Sequence, residues 1–441
     1  MPSLTLNQRL KPFNQLYKLI TKKLNLMFKS CLKVVATTIG AFSLFTLSAC
    51  SSDNSVTGEE PGGEVPADAR SLELSPEASQ AAAAVQGFNV DFFRNVALSE
   101  KYKGKNVACS PVSATMLLSL LSNAASDKTA AEIAAVLGCS DSGALNNLYS
   151  ALETQLPTLD PKATLTFANS VWYDKQYTLT DAFSSVANDC YKADVFKRDM
   201  TGKTAGVSEE INSWVSDKTK GLIKNIKVPM PVLSTLVNAA YFNAAWQKPF
   251  CDKVTSKATF YGVNGASEID MMAQSGEYLY NETADFKLVE MPFASGAFAA
   301  TFILPSGNAE DFLKSDAFKK ALSLKPEERA VGIYLPRFKI AEDEEVNLTE
   351  VLCDMGVKSL DNPDSFKMFN ESPDAEAIRI WQKSSVEFNE NGAEAAAVTW
   401  TGLYGSNGST GPEIRLDRPF IFLITEKSTK TILFAGKIMS L

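Results

Sequence analysis

Apolar residues crowd every side of "CSPVSATMLLSLLSNAAS" (109–126), whereas in "TAAEIAAVLG" (129–138) they return at helical spacing on one side. The first pattern predicts a helix buried all round, the second a helix with one solvated face. Ser110 stands as N-cap of the buried helix with Pro111 in its first turn; Thr129 and Glu132 form a capping box, and Gly138 is the stop. "INSWVSDKTKGLI" (211–223) predicts another amphipathic helix, and "NLTEVLCDMG" (347–356) repeats the cap-to-glycine pattern with Asn347, Glu350 and Gly356. Strand signals lie in "LTFANSVWY", "STLVNAAYF", "FAATFILP", "VGIYLPRF" and "SSVEFNE", and in the closing pair "PFIFLIT" and "ILFAGKI". Helices dominate the first half and strands the second, which predicts an α+β fold in a single domain over 79–441.

Upstream of that domain the pattern changes. From Met27, Lys29 and Lys33 precede an apolar stretch, Val34 to Leu47, which ends in small residues at Cys50. This is an export signal, too short for a membrane span of roughly 20 residues. "LSAC" resembles the lipobox of bacterial lipoproteins, which implies a signal peptide over 27–49, a lipid on Cys50 and an upstream extension over 1–26. The lipid is expected to anchor the exported protein to a bacterial outer membrane, on its periplasmic or outer face. Residues 50–78, rich in Ser, Pro, Gly and acid, predict a flexible linker reaching on the order of 30 Å.

Composition narrows the chemistry. The 441 residues are 45% hydrophobic with a formal charge of -8, ordinary globular proportions that disfavour a nucleic-acid surface. There is no histidine, so Ser-His-Asp and Cys-His nucleophile pairs and His-ligated metals are excluded. No cofactor, metal or enzymatic activity is expected. Cys109, Cys139, Cys190, Cys251 and Cys353 are scattered without a Cys-x-x-Cys pair, which predicts free, buried thiols. Trp172, Trp214 and Trp246 read as core.

One stretch fits none of these elements. "NENGAEAAAVTWTGLYGSNGST" (389–410) joins an alanine run to glycines at every third position. Read as a strand, it places Ala393, Ala395, Ala397, Thr399, Thr401 and Leu403 on one face, small and uncharged near its start, with Glu394, Ala396, Val398, Trp400 and Gly402 on the other. No proline intervenes between Pro373 and Pro412, so the stretch is able to join a sheet. A short surface helix followed by an exposed loop fits the same residues.

Six segments in order, "NVACSPVSATMLLSLLSNAASDKTAAEIAAVLG", "INSWVSDKTKGLI", "LVNAAYFNAAWQKPF", "LPRFKI", "VEFNENGAEAAAVT" and "DRPFIFLITEKSTKTILFAGKI", resemble the serpin family over residues 80–441. The resemblance implies the serpin fold, with a large central mixed sheet and an exposed reactive loop that inserts as an extra strand. It implies suicide inhibition of serine, and also cysteine, endopeptidases: the protease forms an acyl-enzyme, and the cut loop inserts and drags it across the molecule. The partners implied are target proteases and, through Cys50, a membrane; a monomer is expected. A serpin fold used for binding or structure is the alternative.

Carried over residue by residue, Glu390 precedes the hinge, Gly392 is its pivot, and Ala393, Ala395, Ala396, Ala397 and Thr399 insert first. Ten net hydrogen bonds of about 0.5 to 1.5 kcal/mol each would yield on the order of 10 kcal/mol. The family's loop length puts the scissile bond at Ser406-Asn407, while Tyr404-Gly405 offers the large anchor near the loop centre. No Lys or Arg lies between Glu390 and Arg415, which favours chymotrypsin-, elastase-, subtilisin- or papain-like targets over trypsin-like ones. Where the family has a histidine bonded to a serine and an asparagine beneath the sheet's opening point, this chain has Gln382, Ser110 and Asn238. Glutamine does not titrate, so insertion is expected to lack sensitivity between pH 5 and 7.

Overall fold

The computed structural model describes residues 69–202, 204–340, 345–371, 378–393 and 411–441, all within one unit, Val65–Leu441. The expected export signal, Cys50 and most of the linker lie outside the described residues, as do Ala395, Ala396, Ala397, Thr399, Tyr404, Gly405, Ser406 and Asn407.

The first half runs α1 (Pro76–Leu98), β1 (Val107–Cys109), α2 (Pro111–Ser122), α3 (Asp127–Leu137), α4 (Ser142–Gln155), β2 (Ala163–Asp174), α5 (Asp181–Asp189), β3 (Asp194–Arg198) and α6 (Ala205–Lys218). Then come β4 (Ser234–Ala245), β5 (Ser256–Gly262), β6 (Gly265–Glu282), β7 (Phe286–Pro292), β8 (Phe298–Pro305), α7 (Ala309–Lys314), α8 (Asp316–Ser323), β9 (Glu327–Pro336) and β10 (Phe338–Ile340). The chain closes with β11 (Val346–Asn347), α9 (Leu348–Met355), β12 (Arg379–Ser384), β13 (Val386–Asn389), β14 (Gly392–Ala393), β15 (Glu413–Arg415), β16 (Phe420–Glu426) and β17 (Ile432–Ile438). The expected α+β class and large mixed sheet are present.

Two sheets result. One runs β1-β17-β16-β8-β7-β6-β9-β15, with β5 on β6. The other runs β10-β13-β14-β4-β12-β11 and continues through β2 to β3 on the far side of β4. Strands β16 and β17 are near-continuous apolar runs because both of their faces are covered. Helix α2 is buried on every side, as its pattern demands.

The second sheet is buried on both faces at its centre. Even-numbered residues of β4, Leu236, Ala240, Phe242 and Ala244, join the main core, and Val237 and Ala239 join a smaller one with Trp172, Trp214 and Trp381. The main core is aromatic between the sheets: Trp246 stacks on Phe293 at 4.5 Å, and Phe388 meets Phe302 at 5.4 Å and Phe422 at 5.3 Å. Trp172, Trp214 and Trp246 are core residues, as expected.

Several local expectations are corrected. Ser110 sits at the start of α2 without capping it; its Oγ donates to Leu433 O at 2.7 Å and is left to accept from Ser113 Oγ at 2.9 Å. The Thr129/Glu132 capping box does not form, because α3 starts earlier, after Ser126, and Glu132 Oε2 accepts from Ser359 N at 2.8 Å. The linker ends before residue 78: Arg70 N donates to Leu159 O at 3.0 Å, Leu72 is buried, and Ser75 Oγ caps α1. None of these five cysteines forms a disulfide, and only Cys109 is fully buried; the other four are partly exposed.

Candidate functional site

Strand β4 meets its neighbours as a fork. Along its lower part it pairs in parallel with β12, from Thr235↔Arg379 through Asn238↔Gln382 to Ala240↔Ser384. Ser385 then interrupts the strand, and β13 pairs outward with β10 instead, Phe388 facing Phe338. The gap this opens is filled from above: Gly392↔Ala245 and Ala393↔Ala244 on one side, Asn389↔Gly392 and Phe388↔Ala393 on the other, both antiparallel. The start of the segment singled out by its parity therefore already lies inside the sheet as β14, and Ala393 is buried on the face expected for it.

A two-residue turn, Glu390-Asn391, makes this possible. Asn389 Oδ1 accepts from Asn391 N at 2.9 Å and Gly392 N at 3.2 Å, which closes the turn. Trp246 holds it from below: its N donates to Asn391 O at 2.7 Å and its indole Nε1 to Asn389 O at 3.0 Å. Gly392 has φ 155°, and a Cβ there would stand 2.1 Å from Ala244 O and 2.7 Å from Ala245 Cα. Only glycine fits this crossing.

Glu390 is 3% exposed, and Arg337 reaches it with Nη2 at 2.5 Å to Oε1 and Nε at 3.1 Å to Oε2. Thr255 Oγ1 donates to the same carboxylate at 2.8 Å. Burial opposes ionisation, yet the guanidinium and hydroxyl together hold the carboxyl below its ordinary range. The turn is pinned by a charged pair with full hydrogen-bonding partners.

Below the fork the three polar residues expected to cluster do so only in part. Gln382 bonds the backbone of Ser110 twice, Oε1 accepting from Ser110 N and Nε2 donating to Ser110 O, each at 2.8 Å. Asn238 is beside Gln382 in the ladder, but its Nδ2 donates away, to Asn169 Oδ1 at 2.9 Å. No described side chain links Asn238 to Ser110, because the glutamine's reach is used on the backbone. Asn169, which sequence reasoning missed, donates through Nδ2 to Glu153 Oε1 at 3.0 Å and to Tyr191 O at 3.2 Å. A polar residue inside the apolar run "LTFANSVWY" was the available signal.

Among the described residues no group of His, Cys, Asp and Glu side chains is placed to hold a metal. The arrangement is mechanical: a sheet forked at one end, its lower seam closed by six residue pairs, with the next stretch of chain already seated in the fork. That defines a protein whose central sheet splits at one end around a short strand seated between its neighbours.

The comparisons with known proteins agree. A family model described as Serpin (serine protease inhibitor) matches residues 83–441. An uncharacterised serpin-like protein of Thermococcus kodakarensis is 30% identical, covering 81% of this chain and 85% of its own length. A serine protease inhibitor of Cyanea capillata is 31% identical, covering 76% and 92%. Among solved structures, the thermophilic serpin Tengpin in its native state gives a TM-score of 0.74 at 26% identity over 84% of this chain and 96% of Tengpin. Serpin48 of the insect Tenebrio molitor gives 0.73 at 28% identity over 83% and 100%. The chain belongs to the serpin family.

Proposed function

We propose that this protein inhibits endopeptidases by taking its cleaved loop into the β4–β12 seam as a new strand, trapping the protease as an acyl-enzyme. The observation that carries the reading is β14, two residues long and paired on both sides at the mouth of the fork. Continued in the same register, Ala395 would stand opposite Phe242, Ala397 opposite Ala240, and Thr399 between Asn238 and Gln382. These positions share the main-core face, which is already packed, so small side chains are the ones it would accept with least disturbance. Glu394 would fall on the other face beside Asn243 and Glu387, both partly exposed. With no Lys or Arg between Glu390 and Arg415, proteases with apolar or small-residue pockets are the favoured targets, cut falling at Ser406-Asn407 or Tyr404-Gly405.

The test mixes the full chain, carrying Cys50→Ser, with chymotrypsin, elastase, subtilisin, papain and trypsin, followed by denaturing gels and intact mass. A covalent complex with one of the first four, and a released C-terminal peptide starting at Gly405 or Asn407, is the expected result. Cleavage without complex and without a rise in thermal stability would leave a non-inhibitory serpin fold. We also propose that the protein is exported and lipid-anchored through Cys50, supported by the apolar run and "LSAC". Fatty-acid labelling and membrane fractionation test this; unchanged behaviour of Cys50→Ser would overturn it.

A further inference from the structure

The amides beneath the seam all point one way. Asn238 Nδ2 donates to Asn169, and Asn169 Nδ2 donates to Glu153 and Tyr191 O. Reversing Asn169 would set its oxygen against the Tyr191 carbonyl, which only accepts, and reversing Asn238 alone would set its oxygen against Asn169 Oδ1. The other end of the row is therefore forced: Asn238 Oδ1, completely buried, accepts from no described residue. Its strand neighbour on that side is Gln382 of β12, whose own amide is occupied by the Ser110 backbone. A buried acceptor without a described partner thus stands at the β4–β12 ladder.

We infer that Glu153, on α4, is a positioning residue for strand insertion: together with the Tyr191 carbonyl it holds Asn169, and through it Asn238, so that Oδ1 awaits a donor from the incoming strand. The inference rests on the insertion reading above. A donor arriving at Asn238 Oδ1 polarises both amides toward Glu153 and stabilises its carboxylate. Burial pushes the Glu153 carboxyl up to about 8 before insertion, against the Asn169 hydrogen bond and the Lys192 charge. The other titratable groups packed nearby, Tyr149, Tyr191 and Cys190, are pushed up by burial and stay neutral at that pH. Helix α2 brings Met116 against Asn169 and no charge. Insertion therefore lowers the pKa of Glu153 and releases a proton, so it becomes more favourable as pH rises through about 8.

The experiment compares the full chain with Glu153→Gln. After the loop is cut, the rate of stabilisation is followed between pH 6.5 and 9, and the uncut proteins are unfolded in urea between pH 5 and 9. Each unit by which insertion lowers the Glu153 pKa should raise the wild-type insertion constant up to roughly tenfold across this range. Glu153→Gln should be flat. Asn238→Ala, which severs the row while leaving Glu153 in place, should flatten it too. An alkaline rise that survives in Glu153→Gln, or a flat wild type, overturns the inference. If the wild type inserts at no pH, the proposed function falls and takes this role with it. The urea profile separates the cases: a wild type that weakens from pH 5 to 8 where Glu153→Gln does not supports the inference by placing the buried proton on Glu153, and identical profiles overturn it.

Discussion

Gly392→Ala should unseat the hinge without unfolding the protein. The new Cβ would lie 2.1 Å from Ala244 O, a backbone atom of the sheet's central strand that has nowhere to move. The cheaper response is for Gly392 and Ala393 to leave the gap, forfeiting pairing on two sides. About four ladder hydrogen bonds at roughly 0.5 to 1.5 kcal/mol each put the loss on the order of 3 kcal/mol. For a unit spanning Val65–Leu441, at about 2.1 cal/mol/K per residue, that corresponds to a Tm lower by roughly 4 °C. Scanning calorimetry gives the shift, and hydrogen exchange at Gly392 and Ala393 reports the expulsion directly. Trp246 fluorescence should change as well, because Asn391 O leaves its amide. A variant with unchanged Tm and protected amides at these two positions would refute the packing argument.

Other outcomes follow from the same geometry. Glu390→Gln should cost about 1.5 to 3 kcal/mol in urea unfolding near pH 7, the range for a hydrogen bond to a charged group. The Glu390 carboxyl titrates below its ordinary 4.5, so its contribution is present above that value and is lost as pH falls through the folded pKa; the difference between wild type and variant should shrink below about pH 4.5. A constant difference down to pH 3 would contradict this. Thr399→Arg would force a charge into the main-core face of an inserted strand, so gels should show cleaved inhibitor and loss of nearly all covalent complex. Gln382→His should introduce a change in insertion rate between pH 5 and 7 that the wild type lacks, measured by stopped-flow fluorescence. Lys437→Met should destabilise by about 3 to 5 kcal/mol, because Lys437 Nζ is fully buried against Glu310, Ala97 O and Tyr102 O and its loss strands the Glu310 carboxylate.

Much of the fold was readable because its strongest signals are local. "FAATFILP" and "ILFAGKI" coincide with β8 and β17, since strands covered on both faces leave unbroken apolar runs. Strands β5 and β6 carry a weaker signal: their few buried residues, such as Phe260, Ile269 and Met271, are scattered among exposed and half-buried polar ones, so little hydrophobic contrast marks them. The turn between them, Val263-Asn264 ahead of Gly265, was the overlooked hairpin signal. The capping box failed for a different reason. Thr129 and Glu132 have the right spacing, but Ser359, remote in sequence, claims the glutamate.

The site shows the same division between local and distant causes. Alternation along residues 393–403 is a property of one segment, so the uncharged face could be read without knowing what would cover it. The fork could not, because it depends on β12 lying parallel to β4 and on Trp246 holding a turn whose residues follow it by more than 140 positions. The amide row lies further still from local inference. Each member bonds a partner on another element, and the direction of the whole row is set at its far end by the Tyr191 carbonyl beside a glutamate on α4. Where the resemblance implies a histidine at the seam, Gln382 carries no titrating group, while burial pushes the carboxyl of Glu153, two amides away, up to about 8.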